Sequence, residues 1–278
     1  MGKFTGWLIA TDLDGTLIAD DQKVSRKNID AIHYFQEEGG FFTIATGRSL
    51  AMCTDYLRKV PINAPAILIN GTLLYDTKLM KPVFQHGLDR KIATQMLDAV
   101  SLKFPDVCAQ IHCDGPIAIV SPYSCKDQFL EQADLPRKQT EAADVPEPWY
   151  KIMFYSTAER LSMVEKHVAE NVSSSVISHF DIMYSAPYYL EMMPAGTTKG
   201  SGLLHLAEIL GIPASQTVGI GDYYNDADMI RMAGLGVAVA NAPQAIRDLA
   251  QVVVGSNNDG AIADLIAYIE TMLLTPED

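Results

Sequence analysis

Asp12-Leu13-Asp14-Gly15-Thr16 follows directly on an apolar run at 7–11. A short apolar run of that kind suits a strand buried on both faces of a parallel sheet. Residues two apart on extended backbone point the same way, so Asp12 and Asp14 can serve one site at the carboxyl end of that strand. Open parallel sheets place their ligands at that edge. Gly15 permits a tight turn and close backbone approach. Taken alone, Asp-x-Asp-Gly also reads as a calcium loop or a plain turn.

The surrounding pattern supports the sheet. A helix is expected over 25–38, with Ser25 as its cap, Ile29, Ile32 and Phe35 at helical spacing, and Gly39-Gly40 as its stop. A strand at 41–45, a helix at 50–60 and a strand at 66–69 complete a β-α-β-α-β order, which implies a parallel sheet covered by helices. The last third repeats the theme, with helices at 202–210, 227–233, 243–250 and 261–273 and strands at 217–220, 236–239 and 252–254. The middle differs. A helix at 90–103 precedes strands at 107–111 and 117–121, joined through Asp114-Gly115. A Pro- and acid-rich loop at 135–148, a strand at 152–155, a helix at 158–170 and extended segments at 174–184 and 188–192 follow. This α+β pattern reads as a second domain at 84–187, inserted into a first domain made of 1–83 and 188–278.

Three further segments stand where strands or domains end. Thr46-Gly47-Arg48 follows the second strand; a hydroxyl followed by free backbone N–H groups can bind phosphoryl oxygens. On its own it is an ordinary capping turn. Lys199, in Gly196-Thr197-Thr198-Lys199-Gly200, can neutralise a phosphoryl group, although a solvated lysine at a domain junction has the same local sequence. Gly221-Asp222-Tyr223-Tyr224-Asn225-Asp226 follows another apolar strand, and two carboxylates with an amide suit a hard cation. All four segments can converge on one edge of the sheet.

Composition narrows the partners. Hydrophobic residues make up 48% of the 278 and charged residues 20%, the profile of a globular chain. A net charge of -13 argues against nucleic acid or an anionic membrane as partner. It leaves a small anionic substrate open, because a bound cation inverts the local sign. No apolar run reaches bilayer length, and the segment before Asp12 lacks the features of a signal peptide, so a cytoplasmic location is expected. Cys53, Cys108, Cys113 and Cys125 form no C-x-x-C pair, and Cys108 and Cys113 around His112 do not make a zinc set; they read as reduced, mostly buried thiols.

In this order, Asp-x-Asp, Thr, Lys and Gly-Asp-x-x-Asn-Asp, the motifs between residues 7 and 255 resemble those of the haloacid dehalogenase superfamily. Ile69-Asn70-Gly71, Tyr189-Leu190-Glu191-Met192-Met193-Pro194 and Ala233-Gly234-Leu235-Gly236-Val237-Ala238 are similar to recurring segments of its Cof-type sugar-phosphatase branch, subfamily IIB. The resemblance implies an α/β fold: a Rossmann-like core with a parallel sheet and an inserted α+β cap of the C2B type. It implies a phosphatase in which Asp12 is the nucleophile and Asp14 the general acid and base. Mg2+ would be held by Asp12, Asp222 and the Asp14 carbonyl. Thr46, Gly47, Lys199 and Asn225 would bind the phosphoryl group, with Asp226 in support. Arg48, Asn70 and Gly71, and from the cap His112, Tyr123, Tyr184 and Tyr188, are candidates to touch the organic part of a small phosphorylated metabolite, a sugar phosphate first. A monomer or small homo-oligomer is expected. A phosphomutase of the same fold is the alternative. A non-catalytic phospholigand sensor ranks below it because every chemical residue is present, and a dehalogenase is disfavoured by Asp14 and Asp222.

Overall fold

The computed structural model of the chain describes residues 2–122, 127–132 and 135–274, so Tyr123 and Cys125 lie outside it. In chain order the first elements are β1 (Leu8–Thr11), α1 (Arg26–Glu37), β2 (Phe41–Ile44), α2 (Leu50–Lys59), β3 (Ala66–Leu68), β4 (Leu73–Asp76) and β5 (Lys81–Gln85). Next come α3 (Arg90–Ser101), β6 (Cys108–His112), β7 (Ile117–Ile119), α4 (Gln128–Gln132), β8 (Arg137–Gln139), β9 (Lys151–Tyr155), α5 (Ala158–Asn171), α6 (Ser174–Ile177), β10 (Phe180–Ala186) and β11 (Tyr189–Pro194). The chain ends with α7 (Lys199–Leu210), β12 (Thr217–Gly221), α8 (Ala227–Met232), β13 (Leu235–Val239), α9 (Gln244–Arg247), β14 (Val252–Val254) and α10 (Ala261–Leu274). None of the described helices is long and apolar enough to cross a membrane. Two compact units result: Met1–Arg48 with Cys53–Phe84 and Thr198–Asp278, and Gln85–Thr197 with Ser49–Met52.

The first unit is built on a five-stranded sheet in the order β14-β13-β12-β1-β2. Every pairing in it is parallel. β1 is central: Leu8 pairs with Thr217 on one side and Phe41 on the other. Leu8, Ala10, Ala45, Ile67, Leu203, Leu206 and Met229 share one core cluster. Burial on both faces explains why these strands show no polar alternation. Ser25 caps α1 by accepting the Asn28 N–H, as its residue type predicts. Helix α7 begins three residues earlier than expected, because Thr198 and Ser201 form a reciprocal capping box around its first turn.

β3 departs from the expected pattern. It pairs antiparallel with β4 and meets the main sheet through a parallel bridge between Ala45 and Ile67. The cause is a left-handed turn: Ile69, Asn70 and Gly71 all have positive φ and send the chain straight back.

The second unit holds a six-stranded sheet in the order β10-β11-β9-β6-β7-β8. Its pairings are antiparallel except β7 with β8. Ala109, Ile111, Ile152, Phe154, Leu190 and Met192 face a core shared with Met96 of α3 and Val164 of α5. Gln110, His112, Lys151 and Glu191 alternate with them and so point to the other face. Three expectations need correction. Residues 135–148 contain β8 as well as loop, and 174–177 are helical rather than extended. The unit runs on to Thr197 rather than 187, because β11 pairs between β10 and β9.

Candidate active site

The site grows from the carboxyl end of β1. Asp12 N–H still donates to Ile220 of β12 (2.9 Å), which anchors the residue at the sheet edge beside that strand. The chain then folds over itself: Leu17 N–H returns to the Asp12 carbonyl (3.3 Å) and Ile18 N–H to that of Leu13 (2.9 Å). Gly15 sits in this loop at φ +78°, and a Cβ there would stand 2.6 Å from Asp222 Oδ2. Only glycine allows both the conformation and the approach. Thr16 donates its hydroxyl to Asp222 Oδ1 at 3.0 Å.

Lys199, the first residue of α7, points its ammonium into the same edge. Its Nζ lies 2.5 Å from Asp12 Oδ1 and 2.6 Å from Asp226 Oδ1, and Lys199 and Asp226 are fully buried. Asp226 Oδ2 accepts the backbone N–H groups of Asp222 and Tyr223, each at 3.0 Å. Both oxygens of Asp226 are therefore occupied. Asp12, Asp222 and Asp226 each bring a carboxylate oxygen within 4.8 Å of the others. Three carboxylates thus share one ammonium in a low-dielectric pocket. Burial pushes the Asp222 carboxyl up to about 6, and the charge on Asp226 adds to this. Burial and the charges of Asp226 and Asp222 also press the Asp12 carboxyl upward, against Lys199. Burial alone would lower Lys199, but Asp12 and Asp226 outweigh it and hold it protonated.

Thr46 stands just past β2, buried. Its N–H donates to the Ile67 carbonyl and its carbonyl accepts from Asn70, both at 2.9 Å. Its hydroxyl accepts the Arg48 N–H at 3.2 Å. Gly47 and Asn70 are neighbours: a Cβ on Gly47 would lie 3.1 Å from Asn70 Oδ1. Gly71 has no room for a side chain, since a Cβ there would meet the Thr198 carbonyl at 2.2 Å. Arg48 grips Asp14 with a two-pronged contact, Nε to Oδ2 at 2.8 Å and a terminal nitrogen to Oδ1 at 2.5 Å, and its guanidinium lies 5.1 Å from the Tyr56 ring centre. The sequence reading placed Arg48 toward the substrate; here it is paired with Asp14. Asn225 is exposed in a 3-10 turn, and among the described residues no hydrogen bond ties its side chain to the carboxylates.

A family model for haloacid dehalogenase-like hydrolases matches residues 9–266. The chain belongs to this family. The chain is similar to the 5-amino-6-(5-phospho-D-ribitylamino)uracil phosphatase YitU of Bacillus subtilis, 24% identical over 268 residues that cover 92% of this chain and 95% of the other. It is also similar to the pyridoxal phosphate phosphatase YbhA of Escherichia coli, 26% identical over 272 residues, 93% and 97% of the two chains. Among solved structures, a haloacid dehalogenase-like hydrolase from Bacteroides thetaiotaomicron superposes with a TM-score of 0.82 at 23% identity, over 95% of this chain and 99% of that one.

Members of the haloacid dehalogenase-like family imply a divalent metal, and the donor set here fits one. Asp12 Oδ2 and Asp222 Oδ2 carry no hydrogen bond among the described residues, while their partner oxygens are held by Lys199 and Thr16. Carboxylate oxygens in negative surplus suit a hard cation. Residues the sequence reading did not single out complete the frame. Asn241 donates to the Gly15 carbonyl at 2.8 Å. Asn257, buried, donates to the Ile18 carbonyl at 3.1 Å and to Asp20 at 3.0 Å. Isolated asparagines in turns carry no periodic signal, and their partners lie more than 200 residues away in sequence.

In the second unit His112 is buried at the end of β6, and neither ring nitrogen has a partner among the described residues. Burial, and then the charge of Lys151, hold its imidazole well below the usual histidine range. Tyr184 donates to Glu165 at 3.1 Å, and Tyr188 stacks on Phe129 at 4.3 Å. Cys53, Cys108 and Cys113 are buried.

Proposed function

We propose that the chain is a Mg2+-dependent phosphatase that hydrolyses a small phosphorylated metabolite, a sugar phosphate first, in the cytoplasm. The observation that carries this reading is the single buried lysine held between Asp12 and Asp226 beside Asp222, at the carboxyl end of β1. Asp12 attacks phosphorus; an Asp12 oxygen–phosphorus bond forms as the ester bond to the leaving oxygen breaks. Asp14 gives its proton to that oxygen, then takes one from the water that attacks the aspartyl-phosphate and frees Asp12. Lys199 and Thr46, with the Gly47 backbone N–H, hold the remaining phosphoryl oxygens, and Asn225 assists from the 224–226 turn. Asp226 keeps Lys199 in place. Mg2+, held by the Asp12 and Asp222 carboxylates and the Asp14 carbonyl, would offset repulsion between the anionic nucleophile and the anionic substrate.

Arg48 enters this scheme through Asp14. Arg48 occupies both Asp14 oxygens, so the pair opens before Asp14 can reach the leaving oxygen, and a phosphoryl dianion competes for Arg48. The second unit, read as an inserted cap, supplies selectivity; His112, whose ring nitrogens have no partner among the described residues, is its leading candidate.

The test is phosphate release from sugar phosphates, nucleotides, pyridoxal phosphate and p-nitrophenyl phosphate, with Mg2+ or EDTA. Wild type should release phosphate only with Mg2+, and Asp12→Asn should not. Activity that survives in Asp12→Asn removes the assigned nucleophile.

A further inference from the structure

Asn241 stands in the turn after β13, far along the chain from the Asp12 loop, yet both ends of its amide are spoken for. Its Oδ1 accepts the Asn257 backbone N–H at 3.0 Å. A backbone N–H can only meet an acceptor, so the amide orientation is fixed and Nδ2 faces the Gly15 carbonyl, 2.8 Å away. Asn257 in turn reaches back to Ile18 and Asp20 of the same loop. Asn258 adds a donor to Asp20 Oδ2 and accepts the Asp20 N–H, each at 3.0 Å. The loop and the two asparagine-bearing turns form a closed ring of hydrogen bonds.

What the ring holds is the peptide between Gly15 and Thr16. Gly15 packs its Cα against Asp222 Oδ2, where a Cβ would come within 2.6 Å. Thr16 donates to Asp222 Oδ1. Both oxygens of Asp222 are therefore bounded by the two residues whose shared peptide Asn241 anchors.

We propose that Asn241 is a positioning residue: by clamping the Gly15 carbonyl it aims the Asp222 carboxylate at a divalent cation. This inference rests on the metal-dependent reading above. Groups that orient metal ligands, without touching the metal, change affinity or activity by about 10–100-fold when removed. The Asn241 side chain is exposed, so its loss leaves the fold nearly as stable.

The decisive variant is Asn241→Asp. It keeps an acceptor for the Asn257 N–H and sets a carboxylate oxygen against the Gly15 carbonyl. Asn241→Ala removes both bonds and serves as the second variant. Mg2+ affinity is read by calorimetry on the full chain, alongside melting temperature in EDTA and the split between kcat and KM for p-nitrophenyl phosphate. Both variants should bind Mg2+ about 10–100-fold more weakly. They should lose kcat at fixed Mg2+, melt within a few degrees of wild type, and keep KM. Mg2+ affinity within twofold of wild type in Asn241→Asp overturns the proposal, as does a wild-type chain that binds no Mg2+. If wild type binds Mg2+ but releases no phosphate, the phosphatase reading fails while the calorimetry still judges Asn241.

Discussion

Lys199 in the first unit and Lys151 in the second are both buried lysines paired with carboxylates, and they differ in charge balance. Lys151 meets Glu191 one to one at 2.9 Å, with Ser185 on the other Glu191 oxygen. Lys199 serves two carboxylates, with Asp222 as a third in the same cluster. A balanced buried pair has little left to offer a ligand. A surplus of negative charge stores repulsion that only a cation or a proton relieves; burial raises the Asp12 and Asp222 carboxyls, and the neighbouring carboxylates add to it. The comparison separates a buried ion pair that fills a sheet face from one with charge left over for a ligand.

The comparison can be broken in several ways. Asp12→Asn should have the largest effect, a loss of at least about 10,000-fold in phosphate release. Residual turnover near wild type would mean that the surplus charge serves something else. Next come the lysines. Lys199→Met and Lys151→Met each strand buried carboxylates and should destabilise by about 3–5 kcal/mol in urea unfolding. Only the first should abolish hydrolysis of p-nitrophenyl phosphate. Replacing Lys151 and Glu191 together, by Met and Leu, should cost far less than Lys151→Met alone; an equal cost would deny that the pair is balanced.

A pH titration sharpens the contrast. A carboxyl raised from 3.8 to about 6 on folding contributes stability that is present below pH 3.8 and lost as pH rises through about 6. In EDTA, Asp222→Asn should therefore melt higher than wild type above pH 6, with the gap closing toward pH 4. Mg2+ should raise the wild-type melting temperature at neutral pH and leave Asp222→Asn nearly unmoved. A gap that widens toward low pH contradicts the surplus-charge account. The smallest effect belongs to His112→Phe. Removing two buried nitrogens that have no partner among the described residues should stabilise the chain by about 1 kcal/mol. It should leave p-nitrophenyl phosphate hydrolysis alone and raise KM for the best metabolite about tenfold, the worth of one good hydrogen bond. An unchanged KM would make His112 a packing residue.

Much of the first unit was legible because parallel strands buried on both faces announce themselves as apolar runs, and because the motifs follow those runs. Asp12 after β1, Thr46 after β2 and Asp222 after β12 could be placed at one edge from this alone. β3 stands where a strand was expected, but its antiparallel return onto β4 went unread because a β-branched Ile69 in the left-handed region is not something residue preferences foretell. β8 escaped notice since Arg137–Gln139 is an exposed edge strand with no apolar pattern to read. The junction near 187 was drawn too early because pairing partners, not composition, decide that β11 completes the second unit's sheet. Arg48 on Asp14, and Asn241 on Gly15, are long-range contacts between polar side chains, and no spacing rule reports those.

The central position of β1 also governs how the protein is made. β2, one neighbour of β1, follows it closely in the chain, but its other neighbour, β12, lies about 200 residues further on. At ribosomal speeds of about 5–20 residues per second, β1 waits about 10–40 s with one edge bare. Lys199 and Asp222 arrive at the end of that wait. A nascent or truncated chain thus holds Asp12 without the partners that arm it, and exposes an apolar strand edge that chaperones or neighbouring chains can bind.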